Sequence, residues 1–262
     1  MRHFSRVLLL ALAVAVPCRS AHAASITPTY DSFGLLAGAT FGGTGIPNDA
    51  VAITTLTDGG VTIVLGFTAH ERFSNAPVTN DGAGTFFAEP GANYGDPLNG
   101  AAPIGSPGTP PRLGATWNFA FYVSITGGTF ADYNVNLLYD FDPAADTEAS
   151  SHGILSLDGV LDFLTMPQGS TSLVQGSENL AFAFLSGGFP FITAPGGAFN
   201  PNALGEYTFA LRLFNATSTN GIPLGQSAIQ VNVGTVPEPT SLLLFGTGLA
   251  AAGMRRYRRK KQ

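Results

Sequence analysis

Residues 117–125 read WNFAFYVSI. Phe119, Phe121, Val123 and Ile125 fall on alternate positions, with Asn118, Ala120, Tyr122 and Ser124 between them. Successive side chains of a strand point to opposite faces, so this pattern puts an apolar set on one side of an extended chain. The pair Gly127-Gly128 then turns the chain. The same alternation returns in DYNVNLLYDF at 132–141, where Tyr133, Val135, Leu137, Tyr139 and Phe141 share a face. EYTFALRLFN at 206–215 does it with Tyr207, Phe209, Leu211 and Leu213, and SAIQVNV at 227–233 with Ile229, Val231 and Val233. VAITTLTDGGVTIVLGFTA at 51–69 reads as a hairpin turning at Asp58-Gly59-Gly60. Many short strands with one apolar face are what an antiparallel sheet with one buried side requires. Two such sheets face to face make a sandwich. The expected fold is all-β, an antiparallel β-sandwich of the jelly-roll or Ig-like kind, with a closed barrel as the alternative.

Gly and Pro punctuate the chain throughout, and no stretch holds a helical period for long. Residues 89–114 are too rich in both to form a regular element and read as a long loop. Residues 187–205 read as a second loop, carrying aromatics among prolines. Asp158-Gly159 in GILSLDGVLDFL reads as a hairpin turn. Trp117, the only tryptophan, is expected in the core.

The two ends differ from this body. Arg2 and Arg6, ten apolar residues at 7–16 and the small-x-small pattern ending at Ala21 and Ala23 follow in the order of a secretory signal. Residues 1–23 are therefore read as a signal helix cut after Ala23 by signal peptidase, and 24–235 as the sandwich domain. The single cysteine, Cys18, leaves with the signal, which excludes disulfides and thiolate chemistry from the exported protein. Of the 12 Lys and Arg, only Arg72, Arg112 and Arg212 lie between positions 31 and 238, where all 17 acidic residues also lie. The body is thus strongly acidic and holds no lysine. It repels nucleic acid and anionic lipid and attracts cations.

The densest polar cluster is Asp140, Asp142, Asp146 and Glu148, just past a strand. Closely spaced carboxylates in a loop are what calcium requires, so these four are the candidate metal ligands, although their spacing is not that of an EF-hand. Two histidines remain in the body, His70 and His152, outside any HExxH pattern, and both read as satisfied surface residues. Neither GxSxG nor a phosphate-binding glycine loop occurs. No catalytic residue is assigned, and the expectation is that the protein is not an enzyme. Paired carboxylates of the glycosidase kind are the alternative.

VPEPTSLLLFGTGLAAAGMRRYRRKK, at 236–261, resembles the PEP-CTERM sorting signal of Gram-negative bacteria. The motif is Val236, Pro237, Glu238 and Pro239; a glycine-containing apolar run follows, and Arg255, Arg256, Arg258, Arg259, Lys260 and Lys261 close it as a membrane stop. The apolar run of 14 residues, 241–254, would measure about 21 Å as a helix, short of a hydrocarbon core of roughly 30 Å. Residues 236–262 are therefore read as a sorting signal with a short hydrophobic transmembrane helix, held briefly in the inner membrane. The resemblance implies processing by an exosortase-like membrane peptidase and release to the outer envelope or outside the cell. It also implies a link to exopolysaccharide and biofilm. Four stretches of the body resemble other uncharacterised PEP-CTERM proteins: YDFDPAADTEASSHG, GSENLAFAFL, NPNALGEYTFAL and SAIQVNV. The resulting expectation is an adhesive or structural protein, with exopolysaccharide as its partner and calcium as a possible rigidifying ion.

Overall fold

The computed structural model describes residues 24–94, 113–164, 171–216 and 221–234. In chain order its strands are β1 (Ser32–Gly34), β2 (Val51–Asp58), β3 (Val61–Glu71), β4 (Thr79–Asn80), β5 (Thr85–Ala88), β6 (Ala92–Tyr94), β7 (Leu113–Ala115), β8 (Trp117–Thr126), β9 (Tyr133–Tyr139), β10 (Gly153–Ser156), β11 (Leu173–Glu178), β12 (Ile192–Thr193), β13 (Gly205–Asn215) and β14 (Gly225–Val233). Among the described residues one α-helix, α1 (Leu157–Phe163), joins them. The strands form a five-stranded sheet in the order β1-β2-β3-β8-β11 and a seven-stranded sheet in the order β12-β10-β9-β13-β14-β5-β4. The fold is all-β, as the alternation requires.

The sheets are not purely antiparallel, because β5 runs parallel to β14. Parallel neighbours need a long crossover between them, and most of the domain lies between these two strands. Short-range alternation carries no trace of such a pairing.

The hairpin at 51–69 forms as read, with Asp58 opposite Val61. Gly59 and Gly60 take φ of 55° and 91°, the left-handed pair that matches strand twist and that a Cβ resists. Gly127-Gly128 turns the chain, but into the other sheet, since β8 and β9 belong to different layers.

Every inward set named from the sequence is buried in one core shared by both sheets. Phe209 of β13 sits at its centre, its ring centroid 4.7 Å from Phe119, 6.0 Å from Phe67 and 6.1 Å from Trp117. Trp117 is buried there, as expected of a core residue. The second face of β8 is covered as well: Ala120 and Tyr122 pack with Ala39, Phe41 and Val51 beneath the segment that leads into β2. Gln175 of β11 fastens that segment, its Oε1 accepting the Thr40 and Phe41 amides at 2.9 and 2.8 Å.

Both loops read from Gly and Pro contain strand at their described ends. β6 and β7 pair across the base of the first, and residues 95–112 lie outside the described set. In the second, β12 pairs with β10 at the edge of the seven-stranded sheet.

The turn read at Asp158-Gly159 is a correction: both residues lie in α1. Ser156 caps the helix, its Oγ accepting the Gly159 amide at 3.2 Å, and Leu157 and Leu161, one turn apart, are buried. Gly159 is there for closeness. A Cβ at that position would stand 2.7 Å from Cβ of Phe191.

Candidate functional site

The candidate metal ligands do not converge. Asp140 is buried, and its Oδ1 accepts the Asp142 amide at 2.8 Å. Asp142 in turn accepts the Ala144 amide at 3.0 Å, so the Asp-Phe-Asp-Pro stretch makes two successive side-chain turns rather than an open coordination loop. The Asp146 amide donates to Glu206, and Glu148 accepts from the Ser150 hydroxyl. Among the described residues, no three His, Cys, Asp or Glu are placed to hold a metal ion. Burial pushes the Asp140 carboxyl above the usual carboxylate range, against the opposing pull of the Asp142 amide and of His152, whose Nε2 is 3.9 Å away.

Both body histidines are satisfied, but neither lies at the surface: His70 and His152 are 1% and 5% exposed. The backbone explains the error. His70 Nδ1 donates to the Glu71 carbonyl at 2.8 Å, and Nε2 accepts from Ser177 Oγ at 2.7 Å. His152 Nδ1 donates to the Glu148 carbonyl at 3.0 Å, and Nε2 accepts from Thr208 Oγ1 at 2.8 Å. With both ring nitrogens paired, each ring is satisfied inside the protein. Burial holds His70 below the ordinary histidine range.

The edge of the five-stranded sheet holds a candidate site. β11 ends the five-stranded sheet, and its register on β8 sets Val174, Gly176 and Glu178 opposite Val123, Phe121 and Phe119. Those three partners face the core, so Glu178 faces inward too. Gly176 lets both neighbours close over the strand: a Cβ there would come within 3.0 Å of the Phe121 ring and 3.4 Å of Glu178 Oε1. Across the gap stand α1, β10 and the segment before β12. Together they enclose a cavity of about 580 Å³ lined by Phe121, Leu155, Leu157, Val160, Leu161, Phe163, Leu164, Thr171, Leu173, Val174, Gln175, Gly176, Glu178, Phe184, Phe189 and Phe191. This size is typical of small-ligand pockets.

Two features distinguish the cavity from a packing gap. Its mouth exposes Phe163 (54%), Leu164, Leu173 and Phe189, half of the large apolar side chains that the described surface shows to solvent. Phe163, Phe189 and Phe191 pack mutually, with centroids 5.2 to 5.6 Å apart. The second feature is Glu178, the one ionisable side chain among the described residues of the lining. Burial alone pushes its carboxyl up to about 7. Sequence reading passed over Glu178 because LVQGSE is weakly apolar and has a glycine at its centre; the alternation of Val174 with Glu178 was the available signal.

A second cavity, of about 380 Å³, lies at the far end of β3 and is more polar. Glu71 and Glu89 both line it, with Trp117 and Thr116. Arg72 lines it too, its guanidinium 4.5 Å over the Phe73 ring and 5.5 Å over that of Phe182.

The remaining sequence-read residues lie outside the described set: Ala21 and Ala23, Val236, Pro237, Glu238 and Pro239, and the basic cluster from Arg255 to Lys261. Among the described residues, no helix is long and apolar enough to cross a membrane. Comparison with known families supplies the terminal identity, since residues 235–259 match the PEP-CTERM protein-sorting motif. Searches of curated proteins and of solved structures find no match to the chain. The chain carries a PEP-CTERM sorting signal, the mark of an exported protein that is sorted through the membrane by an exosortase.

Proposed function

We propose that this protein is a non-enzymatic component of the bacterial outer envelope or extracellular matrix, associating with exopolysaccharide in an adhesive or structural role. The sorting motif at 235–259 is the observation that carries the reading. Signal peptidase removes residues 1–23, and the exosortase acts near Val236 to Pro239 while residues 241–254 sit in the inner membrane. The exported part is a β-sandwich of the jelly-roll or Ig-like kind, a reading supported by the rings that the two sheets share. Its acidic surface and lack of cysteine suit an extracellular module held by its core alone.

The test is localisation together with binding. Deleting residues 236–262 should leave a folded body that no longer reaches its normal site, and the exported protein should be retained by the host's exopolysaccharide. Unchanged localisation of the deletion removes the sorting claim, and absence from the polysaccharide fraction removes the matrix role.

The carbohydrate-active alternative has one specific support: Glu71 and Glu89 share a cavity. Two carboxyls across a cleft are what glycoside hydrolysis uses. Hydrolysis of host polysaccharide by the purified protein, lost in both Glu71→Gln and Glu89→Gln, would establish it over the binding reading.

A further inference from the structure

The edge cavity combines an apolar wall, three mutually packed phenylalanine rings and a single acid. An apolar wall alone would accept any hydrocarbon. The acid changes that. Glu178 lies on the inward face of β11 by register, its Oε1 over Gly176 on the side where the Phe121 ring packs, and it accepts no hydrogen bond from the described residues. A carboxyl in such a place has an unmet demand for a donor or a positive charge. The rings at the mouth make the same demand, because the faces of aromatic rings attract cations.

We propose that this cavity binds a small organic ammonium ion bearing an apolar body, with Glu178 as the counter-charge and Phe163, Phe189 and Phe191 as the aromatic wall. The strongly acidic body favours the arrival of such an ion. The opposite charge is disfavoured by the same groups: a carboxylate or phosphate ligand would meet Glu178 with no basic side chain among the described residues of the lining. A sugar ring would use the aromatic faces but would leave an ionised carboxyl in an apolar cavity without a counter-ion. The site is separate from the cavity of Glu71 and Glu89, and it does not depend on the matrix role.

The titratable surroundings are simple. From β8, β10, α1, β11 and the segment before β12, Glu178 is the only ionisable side chain among the described residues of the lining. Asp158 of α1 turns away, its Oδ1 accepting the Val135 amide at 3.2 Å.

The test compares three probes with the same chain, hexyltrimethylammonium, hexan-1-ol and hexanoate, titrated into the exported protein by calorimetry at pH 8 and pH 5. The expected result at pH 8 is that the ammonium binds about tenfold tighter than the alcohol, with hexanoate weakest. At pH 5, where Glu178 is protonated, most of the ammonium preference should disappear. Glu178→Gln should abolish the preference at pH 8 while hexan-1-ol binds as before, and Phe163→Leu should weaken the ammonium more than the alcohol. Equal affinity for ammonium and alcohol in the native protein overturns the proposal without reliance on any variant. So does a preference that persists at pH 5 or in Glu178→Gln, and so does the absence of binding by all three probes at about 10 mM, far above the range of a built site.

Discussion

Replacing Glu178 by glutamine should stabilise the protein above pH 7 and leave its stability unchanged at pH 4. Below 4.5, the ordinary value for glutamate, the carboxyl holds its proton in both the folded and the unfolded chain, and it contributes no difference. Between 4.5 and about 7 the unfolded chain has lost that proton while the folded chain retains it. The native state then binds more protons than the unfolded state, so stability falls as pH rises. Above about 7 both states are ionised, and the folded protein holds a carboxylate in an apolar cavity. The separation between 4.5 and about 7 corresponds to roughly 3 kcal/mol. Solvent entering the open side of the cavity screens part of that, leaving about 2 kcal/mol. Glutamine matches the protonated acid in size and carries no charge, so it removes the pH-dependent part alone. Urea unfolding of the native and Glu178→Gln proteins at pH 4, 6 and 8 measures the difference, with other titrating groups cancelling between the two. A gap that opens from near zero at pH 4 to about 2 kcal/mol at pH 8 is expected. Parallel stability curves across this range would refute the placement of an uncompensated acid in the cavity.

Phe209→Ala should cost about 3–5 kcal/mol in the same unfolding assay, because its ring is fully buried between both sheets; a cost under about 1 kcal/mol would mean that the sheets do not share this core. Asn179→Ala should cost about 3 kcal/mol, measured the same way. Its buried amide donates to the Ala115 and Trp117 carbonyls, and its oxygen accepts the Ala115 and Ala181 amides, leaving several backbone groups unpaired when it is removed. His70 should titrate below the ordinary 6.5, so its contribution is present at neutral pH and is lost as pH falls below that value; NMR of the ring should find its midpoint shifted down, and a midpoint at or above 6.5 would contradict its burial.

The strands were legible wherever one face is apolar and the other polar. Tyr133, Val135, Leu137, Tyr139 and Phe141 could be assigned to the core from spacing alone, and all five are there. What could not be read depends on contacts between distant parts of the chain. The parallel β5–β14 pair joins residues 85–88 to 230–233, and nothing local announces it. The glycine of Asp158-Gly159 signals a turn to any local rule, yet its role is to let α1 approach Phe191. The histidines look like surface residues because histidine usually is, and only the Ser177 and Thr208 hydroxyls, brought from other strands, make burial acceptable. Conversely, the carboxylates from Asp140 to Glu148 look like a metal loop by density, but those of Asp140, Asp142 and Glu148 accept from the Asp142 amide, the Ala144 amide and the Ser150 hydroxyl. Glu178 escaped notice for the reverse reason, since one acid in a short strand has no motif. The sorting motif was legible because its order of short polar signature, apolar run and basic end is local and sequential.

The central claim is that the tail is an address and not an anchor. Intact-mass measurement of the protein recovered from outside the inner membrane, with mapping of both terminal peptides, tests it most directly. A chain that begins at Ala24 and ends near Val236 to Pro239, without the apolar run and its basic cluster, is the expected result. Recovery of the protein solely in the inner membrane, with residues 241–262 still attached, would contradict it.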